Sequence, residues 1–113
     1  MSTIFKKIIN KEINADIIYE SDKVLAFKDV NPISPIHILI IPKKEIPTVN
    51  DISSEDKELL GELFITAKKI AKKINIDKDG YRIVFNCNED AGQTVFHLHM
   101  HLLGGRAFSW PPG

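Results

Sequence analysis

Apolar positions along the chain change period several times, and each change marks an element. Ile4, Phe5, Ile8 and Ile9 recur at helical spacing and predict one short helix. Ile17-Ile18-Tyr19, Val24-Leu25-Ala26-Phe27 and Ile36-His37-Ile38-Leu39-Ile40-Ile41 are short runs rich in β-branched or apolar side chains, which suits strands. Between the second and third runs, Asp29-Val30-Asn31-Pro32-Ile33-Ser34-Pro35 supplies the Asn and Pro of a turn, so those two strands are expected to pair antiparallel. From Ser53 onward Leu59, Leu60, Leu63, Ala67, Ile70, Ala71 and Ile74 return every three or four residues, with Lys and Glu opposite, as in a long amphipathic helix. Ser53 with Asp56 resembles a capping box. Acids early (Glu55, Asp56, Glu58) and bases late (Lys68, Lys69, Lys72, Lys73) complement the helix dipole. Asp79-Gly80 then turns the chain into a strand over residues 81–85, a polar loop over 86–94 and a last strand over 95–103. Residues 104–113 contain Gly and Pro that cannot continue a sheet interior.

This order predicts an α+β domain: an antiparallel sheet of about five strands, covered on one face by the long helix. The 113 residues allow one modest core, so a single domain over 1–113 is expected.

Composition narrows the function. Lysine plus arginine and aspartate plus glutamate both number 15, so no basic field exists to hold a nucleic-acid backbone. Cys87 is the single cysteine, and the N-terminus lacks the charged-then-apolar pattern of a secretory signal; both fit a reducing cytoplasm. The longest apolar run, residues 36–41, falls far short of the ~20 residues of a membrane helix. Neither a nucleic-acid nor a membrane partner is expected.

The chemistry concentrates in the last strand. A period of two places Val95, His97, His99, His101 and Leu103 on one face and Phe96, Leu98, Met100 and Leu102 on the other. Same-face neighbours lie about 6.5–7 Å apart, close enough to share one small substrate. Zinc is the sharp competitor, because His-x-His on a strand can give two ligands and His37 a third. A straight strand, however, spreads three side chains over about 13 Å, so His97, His99 and His101 cannot all reach one ion at about 2.1 Å. The other reading is nucleophilic: a neutral imidazole can attack phosphorus through one nitrogen if its other N–H is held by an acceptor. The Gly92-Gln93-Thr94 loop could offer backbone amides to the developing phosphoryl charge.

His97-Leu98-His99-Met100-His101-Leu102-Leu103 resembles the signature of the histidine triad (HIT) superfamily, His-x-His-x-His followed by two hydrophobic positions. Other segments are similar to its Hint branch, the histidine triad nucleotide-binding proteins. These are Asp29 after Ala26-Phe27, the stretch from Pro35 to Lys44, Gly80-Tyr81-Arg82, Asn86, Gly92-Gln93-Thr94-Val95 and Trp110-Pro111-Pro112-Gly113. The resemblance runs along essentially the whole chain.

It implies a HIT-like fold whose sheet continues across a two-fold dimer, with the tail over 103–113 reaching the partner. It implies a purine nucleoside phosphoramidase acting on AMP or GMP conjugates, with the middle histidine, His99, carrying a covalent nucleotidyl intermediate. His101 would hold the α-phosphate, His97 would orient the nucleophile partly through its carbonyl, and His37 would support or relay a proton. Asp29 would bind the ribose hydroxyls, unless it merely caps the turn before Pro32. Asn86 and Thr94 would contact the phosphate or departing group; the best-known animal members carry serine at the latter position, which bears on leaving-group preference. Phe5, Ile8, Ile13, Phe27 and Val30 would form the base pocket, although apolar residues at such spacing are also ordinary core. Trp110 would complete a neighbouring protomer's pocket. No cofactor is required on this reading, and zinc plays no part in the expected chemistry. The alternatives are a dinucleoside polyphosphate hydrolase with the same triad, and a nucleotide-responsive regulatory module.

Overall fold

The computed structural model describes residues 3–113. Helix α1 (Ile4–Ile9) starts where Thr3 Oγ1 accepts the amide proton of Lys6 at 3.1 Å, which satisfies one of the open amides of its first turn. Strands β1 (Ile17–Glu20), β2 (Val24–Lys28) and β3 (Ile36–Pro42) follow. Helix α2 (Lys57–Lys73) follows two short 3-10 turns, then come β4 (Arg82–Val84) and β5 (Met100–Gly104). The five strands form one sheet, antiparallel at every pairing as the sequence pattern predicts, and their order is β1-β2-β3-β5-β4. The Ser53–Asp56 capping box is present, with Ser53 N–H donating to Asp56 Oδ2 at 2.9 Å, but it closes a 3-10 turn just ahead of α2. Asp56 also accepts from Lys44 Nζ at 2.6 Å, which ties this turn to the end of β3.

Alternation along the strands builds two layers of core. Val24, Ala26, Ile38, Ile40, Leu98, Met100 and Leu102 point to one face and pack under Leu63, Ala67 and Ile70 of α2. Leu25, Phe27, Leu39 and Ile41 point the other way and are covered by Phe5 and Ile8 of α1. That second cover is short, and beyond it Arg82 and Val84 of β4 and His101 of β5 are only part-buried. No helix among the described residues is long and apolar enough to cross a membrane.

The last strand is shorter than its pattern suggests. Ladder pairing runs from Ile36 opposite Gly104 to Ile40 opposite Met100, and residues 95–99 lie outside it. Extending the same register would bring Leu98 opposite Pro42, which has no N–H to give. Leu98 N–H instead donates to Ile46 O at 2.6 Å. The in-and-out alternation nevertheless persists, with Leu98 under α2 and the rings of His97 and His99 near Phe5 on the other side.

Candidate active site

Directly paired residues of antiparallel strands share a face. The register therefore sets His37, Leu103 and Arg82 in one row across β3, β5 and β4, and Leu39, His101 and Val84 in the next. Asp29 enters from the turn after β2, where its N–H donates to His37 O at 3.0 Å. His99 joins from the segment just before β5, its ring 5.0 Å from that of His101 and 5.0 Å from that of Phe5.

Hydrogen bonds to the backbone fix which nitrogen of each ring carries its proton, since a carbonyl only accepts and an amide N–H only donates. His99 Nδ1 lies 2.7 Å from His97 O and so donates, which leaves the lone pair on Nε2. His97 Nε2 donates to Pro42 O at 2.7 Å. His37 Nδ1 accepts from Ile33 N–H at 3.2 Å, so its proton sits on Nε2. That proton faces His101 Nδ1 at 2.9 Å and Asp29 Oδ2 at 3.4 Å. His101 then accepts at Nδ1 and carries its own proton on Nε2, a buried donor with no partner among the described residues. A buried donor left unsatisfied is costly, so this one calls for an acceptor from outside the chain, a water or a ligand oxygen.

Burial lowers the pKa of all four imidazoles, because taking a cation out of water is unfavourable. For His99 it outweighs the opposing pull of the His97 carbonyl and of Asp29. His101 is pushed down to about 4 by burial and by the neighbouring His99 and His37. All four rings are therefore neutral at pH 7, the state a nitrogen nucleophile needs.

Two expectations need correction. The three triad rings do not all share one small substrate: His97 is 2% exposed and turned to Pro42 O, and it supports His99 through its backbone carbonyl. Nor do the amides of Gly92 and Gln93 stand ready for a phosphate. Gly92 N–H donates to Glu89 O and Gln93 N–H to Asn88 O, at 2.9 and 3.1 Å. The Gln93 side chain is spent as well, donating to Pro47 O and Val95 O and accepting from Asn88 N–H, so it braces the loop. Thr94 N–H keeps no internal partner among the described residues, and its side chain is exposed.

The remaining candidates divide by position. Phe5, Ile8 and Phe27 are buried together beside His99, whereas Ile13 is at the surface and Val30 is 89% exposed. Asp29 also makes the turn contact, its Oδ1 accepting from Asn31 N–H at 2.8 Å, and each carboxylate oxygen keeps lone-pair capacity for a further donor. Asn86 lines a cavity of about 520 Å³ with His37 and His101, and Trp110 is exposed in the tail. Sequence reasoning did not single out the Ile33 amide or the Pro42 carbonyl, and it marked Arg82 only within the Gly80-Tyr81-Arg82 resemblance, giving neither Arg82 nor Arg106 a place in that cavity. Arg82 had a further legible signal, its alternation with Val84 on β4.

Asp29, His37 and His101 each offer an atom within 4.8 Å of the others, the kind of set that can hold a metal. The Ile33 amide opposes it. A metal-bound histidine ordinarily donates its second N–H to an acceptor, whereas here the second nitrogen of His37 faces a donor and its Nε2 carries the proton. The set suits a proton-bearing relay better than a cation.

Residues 10–108 match the model of the HIT domain family. The chain is 55% identical over 104 residues to a purine nucleoside phosphoramidase of Escherichia coli K12, covering 92% of this chain and 87% of that protein. Among solved structures, a HIT family hydrolase from Legionella pneumophila superposes with a TM-score of 0.97 at 49% identity, covering 99% of this chain and 100% of that one. A histidine triad nucleotide-binding protein from Candida albicans superposes with a TM-score of 0.84 at 32% identity, covering 97% and 83%.

Proposed function

The chain belongs to the HIT domain family, and from that membership we propose that it is a purine nucleoside phosphoramidate hydrolase working through a nucleotidyl group carried on His99. The observation that carries this reading is the fixed tautomer of His99, whose Nδ1–H is held by the His97 carbonyl so that Nε2 keeps its lone pair for attack. Its likeness to the Escherichia coli phosphoramidase supports the choice of substrate class.

In the first step His99 Nε2 attacks the α-phosphorus, forming a nitrogen–phosphorus bond as the bond to the leaving amine breaks. The departing nitrogen takes up a proton from solvent, relayed through a neighbouring imidazole or the Thr94 hydroxyl. Water then attacks phosphorus, displaces His99 and returns that proton, leaving a nucleoside 5'-monophosphate and a free amine. The unpartnered Nε2–H of His101 donates to a phosphoryl oxygen and gains strength as charge builds there. Asp29 accepts from the ribose hydroxyls, and the base lies toward Phe5, Ile8 and Phe27. Neither step calls for a metal.

The same reading includes a two-fold dimer. Phe64 and Ile65 on α2 are about half exposed, and Phe64 lies 6.2 Å from Phe85, next to β4 at the open edge of the sheet. A second copy meeting Phe64 and Phe85 would bury them, extend the sheet and bring the exposed Trp110 toward a neighbouring site.

Intact-mass spectrometry during turnover of an AMP amide, quenched in alkali where phosphohistidine bonds survive, tests the proposal. An adenylyl adduct mapping to His99 is expected. Turnover without an adduct, or an adduct on another residue, overturns it.

A further inference from the structure

The open half of the site face is cationic. Arg82 sits on the same row as His37 and Leu103, one strand beyond β5, so its Cα lies about 10 Å across the sheet from that of His37. The tail brings a second guanidinium to the same place. Gly105, with φ of 86°, turns the chain so tightly that a Cβ there would lie 2.8 Å from Pro35 Cβ, and Arg106 follows it. Arg106 donates to Ile33 O at 3.3 Å and Arg82 to Ser109 O at 2.9 Å. Phe108 orients both groups, its ring centroid 5.1 Å from the Arg82 guanidinium carbon and 4.2 Å from that of Arg106. Both arginines line the cavity of about 520 Å³ that His37, His101 and Asn86 also line.

Neither guanidinium has an ion-pair partner among the described residues, and each keeps several of its five N–H donors. Two oriented forks without a carboxylate, beside a phosphoryl centre whose opposite flank is apolar, suit an anion attached to the part of the substrate that leaves. We propose that Arg82 and Arg106 form a leaving-group subsite selecting amines that carry a carboxylate, so that the preferred substrates are nucleoside 5'-phosphoramidates of amino acids. This deepens the hydrolase reading and rests on it.

The test compares two adenosine 5'-phosphoramidates that differ at one group, the alanine conjugate and its alaninamide counterpart. Charge-assisted hydrogen bonds in a partly exposed cavity predict that kcat/KM favours the carboxylate by about tenfold or more at low salt. The preference should shrink as salt rises. In the R82Q/R106Q double variant the ratio should fall to about one, and R106K should recover part of it, because it restores charge without the planar fork. Equal turnover of both amides by the natural protein, or a ratio that survives in the double variant or is indifferent to salt, overturns the subsite alone. Turnover of neither amide overturns the hydrolase reading together with it.

Discussion

Leu98, Met100 and Leu102 alternate with His97, His99 and His101, yet the two faces they build obey different physics. Under α2 the sheet is dry and close-packed: Met100 and Leu102 are fully buried against aliphatic neighbours, and position is enforced by shape. On the opposite side each ring is held by hydrogen bonds, three of them to the backbone at Pro42, His97 and Ile33. Shape fixes where an atom lies, whereas a carbonyl or an amide also fixes where its proton lies. A catalytic surface needs the second kind of order, and the packed face supplies the rigid frame that makes it affordable.

Adjacent residues separate these roles most sharply. Replacing His99 with alanine should cut kcat for an AMP amide by at least about 10³-fold, as expected for loss of a nucleophile, while the melting temperature moves little. Assaying both quantities on one preparation checks it; normal turnover would remove His99 from the chemistry. Met100→Ala should do the reverse. Emptying a fully buried site under α2 is expected to cost about 2–4 kcal/mol in denaturant unfolding, with kcat largely kept at a temperature where the variant is folded. A large kcat loss in the folded variant would mean that the two faces are not independent.

Acid should act on the imidazole face first. Its histidines have folded pKa values below the ordinary 6.5, so between those values and 6.5 the unfolded chain binds more protons than the folded one. Stability therefore rises with pH in that window: it is full above about 6.5 and declines as pH falls, continuing toward about 4 for His101. Ring-proton NMR titration beside melting curves should find His101 still neutral near pH 5 as the melting temperature drops. Titration of His101 near 6.5 would contradict its burial beside two other imidazoles.

The periodicity was sufficient for the element order, because amphipathic alternation is a local property that burial rewards directly. It misjudged the length of β5, since the lost ladder depends on Pro42 of another strand. The triad was legible as three alternating rings, but the pattern could not tell that His97 turns into the core while His37, far away in sequence, pairs with His101 at 2.9 Å. The Gly92-Gln93 loop offered polar groups to the eye, and the fold had already used them internally.

The sequence by itself determined the α+β architecture, the two faces of the last strand and the identity of the nitrogen-bearing side chains, because each follows from residue type and spacing along one segment. The tertiary structure alone decided which nitrogen holds each proton, how far burial suppresses protonation, and that two arginines distant in sequence meet at one cavity. Those properties arise between segments, from carbonyls, amides and excluded water that no single stretch of chain contains.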